Sequence, residues 1–228
     1  MFRDFLHNIS HNTRVVFSGT NLIWHGIAIA ITIVFVQTGL DWRFFESTRS
    51  DLFYWIIITA GVGDFILPIV VSVALYVTGE FRKNHMLMRM GAALAQASII
   101  AIAVSSLYKV FTGRTQPEFL THLSNVDISH AFHFGFLENG VYWGWPSSHV
   151  AVAFAAATAL CILSRYRSIR VIALSYALYI GVGAAIGFHW LSDVLAGAII
   201  GTLIGLVVGK DIAGRKGPRR GPDQVRIA

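Results

Sequence analysis

The stretch LIWHGIAIAITIVFVQTGL, residues Leu22–Leu40, contains no Asp, Glu, Lys or Arg across nineteen positions. A hydrocarbon core about 30 Å thick is crossed by roughly 20 apolar residues in helical form, so this run predicts a transmembrane helix. Five further runs follow, from about Leu52 to Val77, Met86 to Leu107, His149 to Leu163, Val171 to Phe188 and Val194 to Val208. The last three are short or rich in small residues. Composition agrees: 55% of the 228 residues are hydrophobic and 13% charged, against about 25% charged in a soluble domain. Too little polar surface remains to cover a water-soluble body. The alternative, a soluble protein with six buried core helices, is disfavoured on the same ground.

The expected fold is therefore all-α, a polytopic bundle of six transmembrane helices with both termini cytoplasmic. Residues 1–210 form one domain, and residues 211–228 a basic, disordered tail. The first twenty residues carry His7, Asn8, His11, Asn12 and Arg14, which does not suit a cleaved signal peptide. Cytoplasmic loops are enriched in Lys and Arg. With the N-terminus inside, fourteen of the eighteen Lys and Arg residues fall in inside segments, and only Arg43, Arg49, Lys109 and Arg114 lie outside. The net charge of +6 is thus mainly a topology signal. The tail is expected at anionic head groups rather than on nucleic acid. The single cysteine, Cys161, permits no internal disulfide.

The longest connection, Lys109 to Ser148, holds His122, His130, His133, Trp143 and Trp145. Its tryptophans are expected at the membrane interface, and a short surface helix is expected within it. Three polar constellations share the outer side. In Lys109-Val-Phe-Thr-Gly-Arg114-Thr-Gln116-Pro117, two cations and a glycine suit a phosphate, or else flank a span. In Trp145-Pro146-Ser147-Ser148-His149, a proline at a first helical turn leaves the N–H groups of Ser147, Ser148 and His149 to face an anion; an ordinary helix cap is the alternative. In His189-Trp-Leu-Ser-Asp193, the spacing of four puts both ionisable groups on one helix face. The carboxylate then fixes the imidazole tautomer and leaves the other nitrogen basic. A metal pair or an interfacial histidine is the alternative there. Asp64, in the second span, is an intramembrane carboxylate and so a candidate support for the pocket; a structural hydrogen bond is the alternative.

Together the three stretches resemble the signature of the type 2 phosphatidic acid phosphatase superfamily, Lys-x6-Arg-Pro, Pro-Ser-Gly-His and Ser-Arg-x5-His-x3-Asp, over roughly Gly61 to Gly205. Two arginines of that pattern are missing: Gln116 and Gly183 stand in their places, and Ser148 replaces the glycine. The resemblance implies catalysis by His149, His189 and Asp193. His189 is the nucleophile that becomes phosphohistidine, Asp193 orients it, and His149 passes protons to the leaving oxygen and from water. Lys109, Arg114, Ser147 and Ser148 would bind the phosphate. The resemblance implies no metal and no cofactor. Losing one charged donor from such a site costs about 2.7–4 kcal/mol, so Arg114 and one of His122, His130 or His133 are expected to compensate. The implied partner is a phosphorylated lipid among membrane lipids, met at the periplasmic or exterior face of a bacterial inner membrane. A phosphotransferase using the same intermediate, and a non-catalytic lipid-binding or transport protein, are the alternatives.

Overall fold

The computed structural model describes residues 2–117 and 126–214, apart from the side chains of residues 2–7, Asp51 and Asp64. All regular structure among them is helical, with no strand. Eight α-helices follow in order: α1 (Phe2–Val16), α2 (Leu22–Thr38), α3 (Leu40–Thr48), α4 (Tyr54–Phe81), α5 (His85–Thr112), α6 (Ser148–Leu163), α7 (Arg167–Gly187) and α8 (Leu191–Gly214). The six apolar runs correspond to α2 and α4–α8. The sequence reading did not anticipate α1 or α3. The compensating residue His122, the side chain of Asp64, and residues 215–228 of the tail lie outside the described residues.

Four segments are long and apolar enough to cross a membrane: Gly19–Thr38, His85–Thr112, Arg167–Gly187 and Leu191–Gly214. A fifth is the bent pair Tyr54–Gly63 and Phe65–Phe81, which meet at 42°. Pro68 lies inside α4. It has no N–H for the carbonyl of residue 64, and its ring crowds that carbonyl, which accounts for a bend at this point. By length, α6 with 16 residues falls short of a span, so six spans are not all met on this criterion.

Local signals set the helix ends nearest the site. Gly39 closes α2 at φ 68° and Gly113 closes α5 at φ 44°, both in the left-handed region where glycine has no steric penalty. Ser147 caps α6 by accepting from the Val150 amide, the common role of serine at this position. Pro146 therefore precedes the cap instead of occupying the first helical turn, and its bond to Trp145 is cis.

The core is a pair of closely apposed helices. Along α8, Gly197, Gly201, Gly205 and Gly209 recur every four residues. A Cβ at Gly197 would lie 2.6 Å from the Ser147 carbonyl oxygen, and one at Gly201 2.3 Å from that of Ala151. Small residues on α6, including Ala151, Ala155 and Ala159, are fully buried against this stripe. In lipid, helices gain little from hydrophobic burial, so close backbone packing of this kind is the main source of association. Large apolar side chains on α2 and α4, such as Ile23, Ile33, Ile66 and Val73, point outward instead. That pattern suits a lipid-facing surface.

Connections bring the C-terminal ends of α2, α5 and α7 to the same end of the bundle as the N-terminal ends of α4, α6 and α8. The Lys109–Ser148 connection folds over this end. Its described residues are turns without a helix, so the expected surface helix is not found among them. Trp145, expected at the interface, is buried and donates from Nε1 to Thr32 Oγ1 at 2.7 Å, while Trp143 is exposed.

Candidate active site

The α6–α8 packing puts His149, in the first turn of α6, beside His189, in the short link between α7 and α8. His149 Nδ1 and His189 Nε2 are 3.3 Å apart, with ring centroids separated by 5.4 Å. Behind His189, its Nδ1 lies 3.5 Å from Asp193 Oδ2. That distance is at the outer edge of hydrogen bonding, so the contact is electrostatic first, and catalytic contacts of this length commonly tighten when substrate binds. An ionised Asp193 favours the tautomer with the proton on Nδ1, which leaves Nε2 with a lone pair directed at His149. His189 is 3% exposed. Burial holds its pKa below the ordinary histidine value; the Lys109 and Arg114 cations push the same way, while Asp193 opposes them. The imidazole is therefore neutral at neutral pH, the state that the expected nucleophilic role requires.

Backbone bonds lock the three constellations together. The Ser147 amide donates to the Asp193 carbonyl at 3.1 Å, and Trp190 Nε1 donates to the Thr115 carbonyl at 2.7 Å. The Ser147 N–H, expected to face an anion, is thus already used. The Ser147 hydroxyl serves as the α6 cap, and Ser148 Oγ accepts from Ser105 Oγ at 3.0 Å. The first turn of α6 begins at Ser148, so the positive end of this helix faces the site.

Lys109, at the end of α5, is buried. Its Nζ donates to the Tyr142 carbonyl at 3.3 Å and lies close enough to His149, His189 and Asp193 to interact electrostatically with each. One protein acceptor leaves part of its three-donor capacity for an anion.

Arg114 is placed differently from the phosphate-binding role expected of it. It is fully buried, and its Nε donates to the Ser129 carbonyl at 3.0 Å. Nη1 donates to Ser192 Oγ at 2.8 Å and to Asp193 Oδ1. Nη2 donates to Asp41 Oδ2 at 2.7 Å and to the Ser129 carbonyl. A guanidinium has five N–H donors, and these contacts employ all of them. Arg114 braces Asp193 from the side opposite His189 and offers no donor to a phosphate. Neither described loop histidine fills the gap: His130 is exposed and 3.8 Å from Asp127, and His133 is exposed beside Thr115 at 3.3 Å.

The positions of the two missing arginines have other uses. Gln116 is buried, donating to the Gly144 carbonyl at 3.1 Å and approaching Asp193 Oδ2 at 3.5 Å. At Gly183 a Cβ would come within 2.3 Å of the Ala60 Cβ. This position serves the contact between α7 and α4 and has no room for an arginine. One further site residue escaped the sequence reading. Asp41, in the first turn of α3, is fully buried and accepts from the Ser192 amide at 2.8 Å and the Ser192 hydroxyl at 2.6 Å. Nothing in the sequence separates Asp41 from Glu46 or Asp51 nearby; only its contacts do.

A family model described as the PAP2 superfamily matches residues 87–215, which is more than half of the chain and includes both histidines, Lys109, Arg114 and Asp193. No curated protein and no solved structure matches the chain. The matched span and the motif residues within it establish that the chain belongs to the PAP2 superfamily.

Proposed function

We propose that this integral membrane protein is a lipid phosphatase, which hydrolyses a phosphomonoester or diphosphate of a lipid at the extracytoplasmic face through a phosphohistidine on His189. The observation that carries the reading is the facing pair His149 Nδ1 and His189 Nε2, 3.3 Å apart, with Asp193 behind the second ring. The Nε2 lone pair forms the N–P bond while the bond to the leaving oxygen breaks. That oxygen takes a proton from His149. Neutral His149 then removes a proton from water, whose oxygen displaces His189 and releases inorganic phosphate. In-line transfer needs room for a phosphoryl group between the two nitrogens, so the rings must part as substrate enters. The half-buried His149 is flanked by Phe65 and Phe188, with ring centroids at 5.1 and 4.8 Å, and is the less buried of the two histidines.

Charge stabilisation falls to Lys109 and the positive N-terminal end of α6, because positioning and electrostatics dominate phosphoryl transfer. With Arg114 committed to Asp41 and Asp193, the pocket offers an anion fewer cations than the family pattern does. The position of the pair, at the end of apolar helices where a head group would meet the bilayer, supports a lipid substrate. In a six-span arrangement the basic segments Arg82–Arg89 and Arg165–Arg170 fall at the opposite end, and the cytoplasmic enrichment of basic residues supports an extracytoplasmic position for the pair.

The test is phosphate release by purified protein in detergent from phosphatidate, phosphatidylglycerophosphate, isoprenyl diphosphate and lipid A phosphate, with His189→Ala as control. Release from none of them would end the hydrolase reading. The deep burial of His189 and the thinned cation set favour one second reading, transfer of the phosphoryl group to an alcohol. Isotopic oxygen from labelled water enters the released phosphate in a hydrolase and does not in a transferase.

A further inference from the structure

The family match begins at residue 87, yet one of the most heavily bonded groups at the site lies before it. Asp41 sits two residues past Gly39, whose left-handed backbone turns the chain from α2 into α3. Its carboxylate is fully buried. Oδ1 accepts from the Ser192 amide, and Oδ2 from both the Ser192 hydroxyl and Arg114 Nη2. Arg114 in turn grips Asp193, and Ser192 is the residue adjacent to Asp193. Asp41 therefore reaches the Asp193 carboxylate by two routes, through the guanidinium and through the backbone. An arginine between two buried carboxylates is oriented from both ends. Without Asp41, Arg114 could rotate wholly onto Asp193 and draw its oxygens away from His189.

We infer that Asp41 is a positioning residue, which holds the Arg114–Asp193 pair in register so that one Asp193 oxygen stays on His189 Nδ1. The role rests on the phosphatase reading for its consequence in turnover, but the arrangement itself does not. It also makes the α2–α3 corner, outside the matched region, part of the working unit.

The experiment uses the full chain in detergent, with Asp41→Asn, Ser192→Ala and the exposed neighbour Glu46→Gln as control. Asparagine keeps the volume but can place an amide donor opposite Arg114 Nη2 and the Ser192 hydroxyl, where an acceptor is needed. Two readouts are taken: turnover of short-chain phosphatidate, and the nitrogen NMR shifts of His189 in histidine-labelled protein, assigned by loss of the signal in His189→Ala. For Asp41→Asn, kcat is expected to fall about tenfold or more with KM within threefold, and the His189 shifts to move from the Nδ1–H tautomer toward a mixture. Ser192→Ala should do the same more weakly, and it carries the test if Asp41→Asn does not fold. Glu46→Gln should match the unmodified protein. His189 shifts unchanged in the folded variants would overturn the positioning role, whatever the turnover. Shifts that move in a protein with no phosphatase activity would instead uphold the arrangement and dismiss the phosphatase reading.

Discussion

At the scale of single residues, the site is a chain of ionisable groups running Asp41, Arg114, Asp193, His189, His149. Removing one partner of a buried ion pair is far more costly than the pair is stabilising, about 3–5 kcal/mol, because the other charge is stranded. Arg114→Ala strands two carboxylates and should lower the melting temperature markedly as well as abolish turnover; a variant of unchanged stability would show that the guanidinium is not the hub. Lys109→Ala should cost about 2.7–4 kcal/mol of transition-state stabilisation, a drop of roughly 100- to 1,000-fold in kcat/KM, while leaving stability nearly intact. The pH profile follows from His189. Its folded-state pKa lies below the ordinary value near 6.5 because of burial. Keeping it neutral therefore contributes stability above about pH 6.5, lost as pH falls through the depressed value. The acid limb of kcat/KM should accordingly lie below pH 6.5, and a limb above that would place another group in control. Of these residues, Lys109, His149, His189 and Asp193 were legible from motif spacing. The role of Arg114 was not, because spacing reports which residue types are near a site but not which donors are already engaged.

At the scale of elements, α6 and α8 fix the geometry by packing backbone on backbone. Any side chain at Gly201 must displace the Ala151 carbonyl, which a Cβ would approach to 2.3 Å. Gly201→Leu should destabilise the bundle by at least the about 1–3 kcal/mol typical of overpacking, read by thermal unfolding in detergent, and should separate His149 from His189. Gly183→Arg, which restores the family residue, should not raise activity: the arginine meets Ala60 on α4 and loosens α7. An active, stable Gly183→Arg protein would contradict the packing described. The apolar runs predicted these helices to within a few residues at most ends, because lipid requires each span to satisfy its own backbone hydrogen bonds. The glycine stripe was present in the sequence as a four-residue repeat, but its partner helix was not.

At the scale of the whole molecule, the helix ends that carry the site gather at one end of the bundle, and the basic connections Arg82–Arg89 and Arg165–Arg170 lie at the other. In a Cys161→Ser background, Tyr142→Cys should react with a membrane-impermeant thiol reagent in intact cells, and Ser168→Cys only after permeabilisation. The reverse labelling would invert the proposed orientation. The short amphipathic α1 and the corner helix α3 belong to this scale as well. Neither carries an apolar run long enough to announce itself, and each is held by contacts made elsewhere in the chain.

Sequence alone determined that the chain is a helical membrane protein and which imidazoles and carboxylate to watch. Those features are written in local hydrophobicity and in short spacings along one helix, which survive without knowledge of the neighbours. Only the tertiary structure decided that Arg114 serves Asp193 instead of the phosphate, that Asp41 joins them, and that Gly183 is a packing surface. Each of these depends on what stands opposite a residue across a helix contact, and that is set by the simultaneous fit of several helices, not by the order of residues in any one.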